Sequence, residues 1–167
     1  MAGKLSRLLT HLGTGAGAVH RRFDRDAMGR IREAIVAAER GHAGEVRFAV
    51  EAMLSMRALR QHQDARSRAL AVFSQLRVWD TEANTGVLLY LLWADRAIEI
   101  VADRGVAALV PASEWEAVCA RVSEGLQTTH PADAVIAGII RIGELLRAAL
   151  PASDGTLDEL PDDPVVL

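Results

Sequence analysis

The sequence predicts an α/β protein, a three-layer α/β/α sandwich whose mixed sheet joins a βαβ unit to an antiparallel hairpin and is flanked by helices. Three observations carry this prediction. Glu45–Glu51 alternates apolar and polar residues with a period of two. Gly86–Trp93 is a continuous apolar run of strand length, as a strand requires when both faces of its sheet are covered. Segments with helical spacing lie before, between and after these strands, so helices are available for both faces.

Lys4–Leu12 sets Leu5, Leu8, Leu9 and Leu12 at i, i+3, i+4 and i+7, with Lys4 and Arg7 on the other side, which predicts a short amphipathic helix. Its leucine face is expected to dock on the domain, a membrane surface being the lesser alternative. Gly13–Gly17, Gly-Thr-Gly-Ala-Gly, breaks the helix. It has neither a preceding strand nor a Walker lysine, so it reads as a hinge and not as a phosphate cradle. Asp24 is placed to cap a helix through Met28, Ile31, Ile35 and Ala38 that Gly41 ends. In the first strand Val46, Phe48 and Val50 share one face, while Glu45, Arg47, Ala49 and Glu51 share a face expected to be partly polar. Helical spacing resumes over Arg60–Leu76 through Ala65, Ala69, Val72 and Phe73.

After the apolar run, Ala94-Asp95-Arg96 supplies a turn and Ala97–Ala102 a returning strand, with Glu99 as its polar exception. Ser113-Glu-Trp-Glu116 has the form of a capping box, predicting a helix whose apolar side holds Trp115, Val118, Cys119 and Val122. Pro131 suits the first turn of a last helix to about Leu150, apolar around most of its circumference, where Gly138 and Gly143 would allow close approach to the sheet. Beyond Pro151, proline, glycine and acidic residues dominate. The expected organisation is a helix and hinge over 1–22, a domain over 23–150 and a disordered acidic tail over 151–167.

Half of the 167 residues are hydrophobic and 25% are charged, which excludes a disordered or collagen-like chain. A single cysteine excludes an internal disulfide and a cysteine-built zinc site. Met1–Phe23 lacks the order of a secretory signal, and the longest uncharged stretches, Leu8–His20 and Ala83–Ala94, are too short to span a bilayer. The expected location is cytoplasmic, with a peripheral place on the inner membrane as the variant. Net charge is −3, yet Met1–Arg77 carries 14 basic and 7 acidic residues against 5 and 15 in the remainder. The two halves are expected to neutralise each other across one domain. Nucleic-acid binding is not expected, because the arginines are not interleaved with aromatics. The five histidines share no metal-ligand spacing and no Gly-x-Ser-x-Gly elbow occurs, so scattered surface histidines are expected, with His42 near the rim described next.

A hairpin sets the residues that enter its first strand beside those that leave its second. Asp80, Glu82 and Asn84 are therefore expected near Asp103 and Arg104. Three carboxylates and an amide are the oxygen donors that calcium prefers, with Arg104 either neutralising them or binding a phosphate. A merely solvated acidic loop is the weightier alternative.

The stretch Asn84-Thr-Gly-Val-Leu-Leu-Tyr-Leu-Leu-Trp-Ala-Asp-Arg-Ala-Ile-Glu-Ile-Val-Ala-Asp-Arg-Gly105 resembles the signature of the TPM domain family. That signature is an Asn-Gly-Val-Leu strand, an Asp-Arg turn and a returning strand ending near a glycine. The preceding helix, strand and helix match in order, so the likeness spans about Phe23–Leu150. It implies an α/β/α domain of thylakoid-lumen, photosystem II repair and bacterial envelope proteins, with acid phosphatase activity and calcium binding in some members. Asn84-Thr85-Gly86 stands where the family usually has Asp-Asn-Gly, and Asp103-Arg104-Gly105-Val106-Ala107 replaces Gly-Tyr-Gly-Leu-Glu. One carboxylate has become an amide and a final glutamate is lost. The functional expectation is an interaction or regulatory domain with a protein partner in an envelope assembly. The alternative is a divalent-metal-assisted acid phosphatase in which Asp80, Glu82, Asn84 and Asp103 hold calcium or another cation and Arg104 binds the substrate phosphate.

Overall fold

The computed structural model describes residues 2–127, 130–152 and 158–167. A four-stranded sheet in the order β3-β2-β1-β4 lies between two helical layers. The strands are β1 (Glu45–Glu51), β2 (Gly86–Leu92), β3 (Ala97–Ala102) and β4 (Val165–Val166). β1 and β2 pair in parallel from Glu45 opposite Gly86 to Glu51 opposite Leu92, and β2 and β3 pair antiparallel from Val87 opposite Ala102 to Leu92 opposite Ala97. The α/β/α sandwich with a mixed sheet is therefore the architecture.

The helices are α1 (Ala2–Gly13), α2 (Ala16–Arg22), α3 (Arg25–Glu39), α4 (Met56–Arg60), α5 (Ala65–Gln75), α6 (Arg104–Ala107), α7 (Ala112–Gly125) and α8 (Pro131–Ala149). Asp24 caps α3 by accepting from the Ala27 amide, and Gly41, at φ +86°, takes the left-handed position just beyond its end. Helices α3, α7 and α8 cover one face, packing Ile31, Ile35, Val118 and Ile139 on Phe48, Leu89 and Leu91. Phe23, just past α2, adds an edge-on contact to Trp93 at 5.8 Å between ring centroids. Helices α4 and α5 cover the other face, where Val72 and Phe73 meet Leu88 and Tyr90.

Several sequence expectations are corrected here. The alternating face of β1 is not polar to solvent: all seven residues are buried, because α5 and the C-terminal segment close over Glu45, Arg47 and Glu51. The helix expected over Arg60–Leu76 is shortened to α5 at Ala65–Gln75: Arg60 ends the separate α4, and Gln61–Asp64 form a break in which His62 takes φ +55° and Asp64 caps α5 through the Ser67 amide. Helix α7 starts at Ala112, so Ser113 lies inside its first turn and no side chain caps it. Gly138 and Gly143 do not chiefly serve the sheet: a Cβ there would meet Val122 of α7 at 2.5 Å and Ala38 of α3 at 2.8 Å. The glycines admit neighbouring helices. The tail expected to be disordered supplies β4, which pairs in parallel with Ala49 and Val50, while residues 153–157 lie outside the described residues. Opposite charges from the two halves do meet, in Arg7–Asp95, Arg30–Asp133, Arg32–Asp163 and Arg66–Glu99.

Candidate functional site

The hairpin brings part of the expected rim together. The Asp103 amide donates to the Gly86 carbonyl at 2.9 Å, extending the β2–β3 ladder by one step. Asn84, at φ +56°, accepts twice from the same neighbour segment: its carbonyl from the Gly105 amide at 3.1 Å and its Oδ1 from Arg104 Nε at 3.1 Å. A Cβ on Gly105 would stand 2.4 Å from the Ala83 carbonyl, so only glycine permits this approach. Asp103 caps α6 by accepting from the Arg104 amide at 2.7 Å, and its other oxygen, Oδ2, is buried with no hydrogen-bond partner among the described residues.

Asp80 and Glu82 have other engagements. Asp80 is exposed beside Arg77 at 3.8 Å, and the Glu82 amide donates to Glu159 of the C-terminal segment at 2.9 Å. Among the described residues no three His, Cys, Asp or Glu side chains stand close enough to share a metal ion. The Asn84 amide oxygen is bonded to Arg104, and Asp103 Oδ2 is left without a hydrogen-bond partner among the described residues. Calcium takes six to eight oxygen ligands, and the donor set falls short of that.

Sequence reasoning missed a second cluster, at the opposite ends of β1 and β2. The β2–β3 turn carries Asp95, which accepts from Arg7 at 2.7 Å and pairs with His11 Nε2 at 2.9 Å. His11 is 1% exposed, and its Nδ1 accepts from the Leu54 amide at 3.1 Å. With Nδ1 so used, Nε2 bears the proton and donates to Asp95. Both ring nitrogens are committed, so the pair fastens α1 to the domain and offers no base to a substrate. Burial works against the Asp95 carboxylate, but the bonds from Arg7 and His11 outweigh it and hold its pKa below the ordinary value. Arg7 also donates to the Gln63 carbonyl at 3.0 Å. The available signal was the i, i+4 spacing of Arg7 and His11, which sets them on one face of a helix.

This docking departs from the expectation for α1: Arg7 and His11 turn inward, Leu8 is half-buried, Leu9 and Leu12 are left 61% and 59% exposed, and the side chains of Lys4 and Leu5 lie outside those described. Met53 and Met56, exposed on the segment that follows β1, flank the Leu54 amide to which His11 is tied. The histidines are not all superficial either: His42 is buried as well, and it lines a cleft with Glu39, Glu45, Asp158 and Asp162 instead of joining Asn84 and Asp103. A third cluster lies under α5, where Glu51 accepts a two-pronged bond from Arg68 at 2.7 and 3.1 Å and a third from the Tyr90 hydroxyl at 2.6 Å. Buried and mutually satisfied, it braces the sheet.

The chain is similar to the BA42 protein of the psychrophilic bacterium Bizionia argentinensis, with 25% identity and a TM-score of 0.74 over 84% of this chain and 92% of that one. It shares its fold with the N-terminal domain of the cg2496 protein of Corynebacterium glutamicum, with 11% identity and a TM-score of 0.55 over 81% of this chain and 80% of that one. No curated protein sequence matches. The TPM domain model matches residues 21–145, three-quarters of the sequence and the whole of the βαβ-hairpin core, so the chain belongs to the TPM domain family.

Proposed function

We propose that this chain is an interaction domain of the TPM family that works peripherally on an anionic membrane surface, beside a bacterial envelope assembly, with α1 as the contact. The observation that carries the reading is the orientation of α1: Arg7 and His11 are spent on the domain while Leu9 and Leu12 face outward. A helix with apolar residues to solvent and basic residues at its flanks suits a headgroup boundary. Met1–Phe23 has no Asp or Glu, and apart from Arg7, which is spent on Asp95, it carries Lys4, Arg21 and Arg22, a net basic segment of the kind anionic lipid attracts. No helix among the described residues is long and apolar enough to cross a membrane.

Cosedimentation with phosphatidylglycerol vesicles tests this, using phosphatidylcholine vesicles as the uncharged control. The wild type should bind the anionic vesicles, and Leu9→Asp with Leu12→Asp should weaken binding by about tenfold while leaving the melting temperature unchanged. Equal partitioning of the two proteins would sink the reading.

The rim supports a second reading, a divalent-metal-assisted phosphomonoesterase, because Arg104 and the unbonded Asp103 Oδ2 share one edge. Its shortage of carboxylates ranks it second. Turnover of a generic phosphomonoester with calcium or magnesium, abolished in Asp103→Asn, would establish it; no turnover, or turnover indifferent to that substitution, rejects the site.

A further inference from the structure

The outer edge of β1 carries an inference independent of the α1 contact. β1 donates and accepts on one side with β2, leaving the backbone of Val46 and Val50 directed to the other side. Residues 158–167 run along that edge as a strap. At its near end the Glu45 carboxylate accepts from the Glu159 and Leu160 amides at 3.2 and 3.3 Å, and Leu160 is buried in the second helical layer. At its far end Val165 and Val166 pair with Ala49 and Val50, and the Leu167 amide donates to the Val50 carbonyl at 2.9 Å.

Between these anchors the fit lapses. Arg47 is 6% exposed, yet its Nε and Nη1 are buried with no hydrogen-bond partner among the described residues. Burying guanidinium nitrogens without hydrogen bonds is costly. The strap brings two carboxylates whose charges act on it, Asp163, which pairs with Arg32 at 3.2 Å, and Asp162, which lies against Glu39 with its Oδ1 buried and unpartnered among the described residues, and neither forms a hydrogen bond to Nε or Nη1. The strap therefore reaches Arg47 by charge while leaving two of its nitrogens without a hydrogen bond. Its ladder is two residues long, where β1 offers seven.

We propose that the outer edge of β1 is a docking groove for an extended acidic segment of a partner protein, which adds as a strand and sets a carboxylate on Arg47, with residues 158–167 as its displaceable resident. The resident indicates the chemistry the groove takes: an apolar anchor at the Leu160 position, acidic residues above Arg47, and β-branched residues opposite Ala49 and Val50. A partner segment that bonds Arg47 directly gains what the strap forgoes.

The full chain is titrated with a fluorescent peptide, Asp-Glu-Leu-Pro-Asp-Asp-Pro-Val-Val-Leu, which copies residues 158–167. Leu160→Ser with Val165→Ser frees the groove in cis and should bind the peptide about tenfold more tightly than the wild type. Replacing the two central aspartates of the peptide by asparagine should lower that affinity about fivefold, and Arg47→Met added to the freed chain should reproduce the loss. No binding to the freed chain, or equal binding to both proteins, overturns the proposal. An exchanged dimer as the only species that fills the groove also overturns it, in favour of a second copy. Should the freed chain not fold, hydrogen exchange on the wild type decides. The Leu160 and Leu167 amides should exchange ahead of the β1–β2 ladder, and exchange of all of them together would show a permanent strap.

Discussion

Glu39 stands where α3 reaches the outer edge of β1, and its Oε1 accepts a 2.7 Å bond from the Val46 amide. Burial, opposed by that bond and reinforced by Asp162 and Glu45, raises its pKa from 4.5 to about 9. Burial likewise lifts the neighbouring Glu45 from 4.5 to about 7, against the amides of Glu159 and Leu160 and with the charges of Asp158 and Glu159. Both carboxyls keep protons in the folded chain that the unfolded chain releases above 4.5. Their contribution is therefore full at acid pH and declines as pH rises, through about 7 for Glu45 and about 9 for Glu39. Glu39→Gln keeps an acceptor for Val46 and a donor for Asp162 without a charge. Its melting temperature should match the wild type near pH 5 and exceed it increasingly towards pH 9; parallel curves would contradict the assignment. Asp95 obeys the opposite sign: its pKa is held low, so its support for α1 is present above the ordinary carboxylate range and is lost on acidification. Asp95→Asn should cost about 1–2 kcal/mol and speed exchange of the Leu54 amide, read by denaturant melting and by NMR.

At the scale of elements, the hairpin and its entering loop are held by backbone approach as much as by side chains. Gly105→Ala forces a methyl group to 2.4 Å from the Ala83 carbonyl and 2.6 Å from that of Asn84. It should destabilise the protein by about 1–3 kcal/mol in urea melting and part Asn84 from Arg104. Helix α1 shows how far an element's amphipathicity can mislead. Leu5, Leu8, Leu9 and Leu12 form a stripe that reads as a core face, yet the domain presents Asp95 and the Leu54 amide at the docking position. Those groups demand charged and hydrogen-bonding partners, and Arg7 with His11 satisfies them. In α5, an Asp64 side chain that bonds the Ser67 amide starts a new helix where the apolar spacing alone runs on.

For the whole molecule, the charge asymmetry between the halves becomes a set of pairs across the fold. Arg7–Asp95, Arg30–Asp133, Arg32–Asp163 and Arg66–Glu99 each join the basic first half to the acidic second. Most are exposed and are worth little individually. Raising salt from low to molar strength should therefore leave the melting temperature nearly unchanged, while reducing vesicle binding about tenfold, since that attraction acts through solvent. A large loss of thermal stability in salt would show that the pairs carry more than their exposure allows. Residues 158–167 close the sheet's fourth position from outside the family core, which ends at Leu145.

Strands β1, β2 and β3, the Ala94–Arg96 turn, the Asp24 cap and the long α8 were legible because each is a local pattern: alternation, an unbroken apolar run, a capping side chain, a helical period. So was the meeting of Asn84 with Arg104, since a hairpin fixes which residues face one another. The engagement of Glu82, the inward turn of Arg7 and His11, the burial of Glu45, and the return of the acidic C-terminal segment to β1 were decided by partners 40 to 115 residues away. Periodicity states which residues of an element share a face. What covers that face is chosen by hydrogen-bonding groups elsewhere in the chain, and these become neighbours only once the sheet has formed.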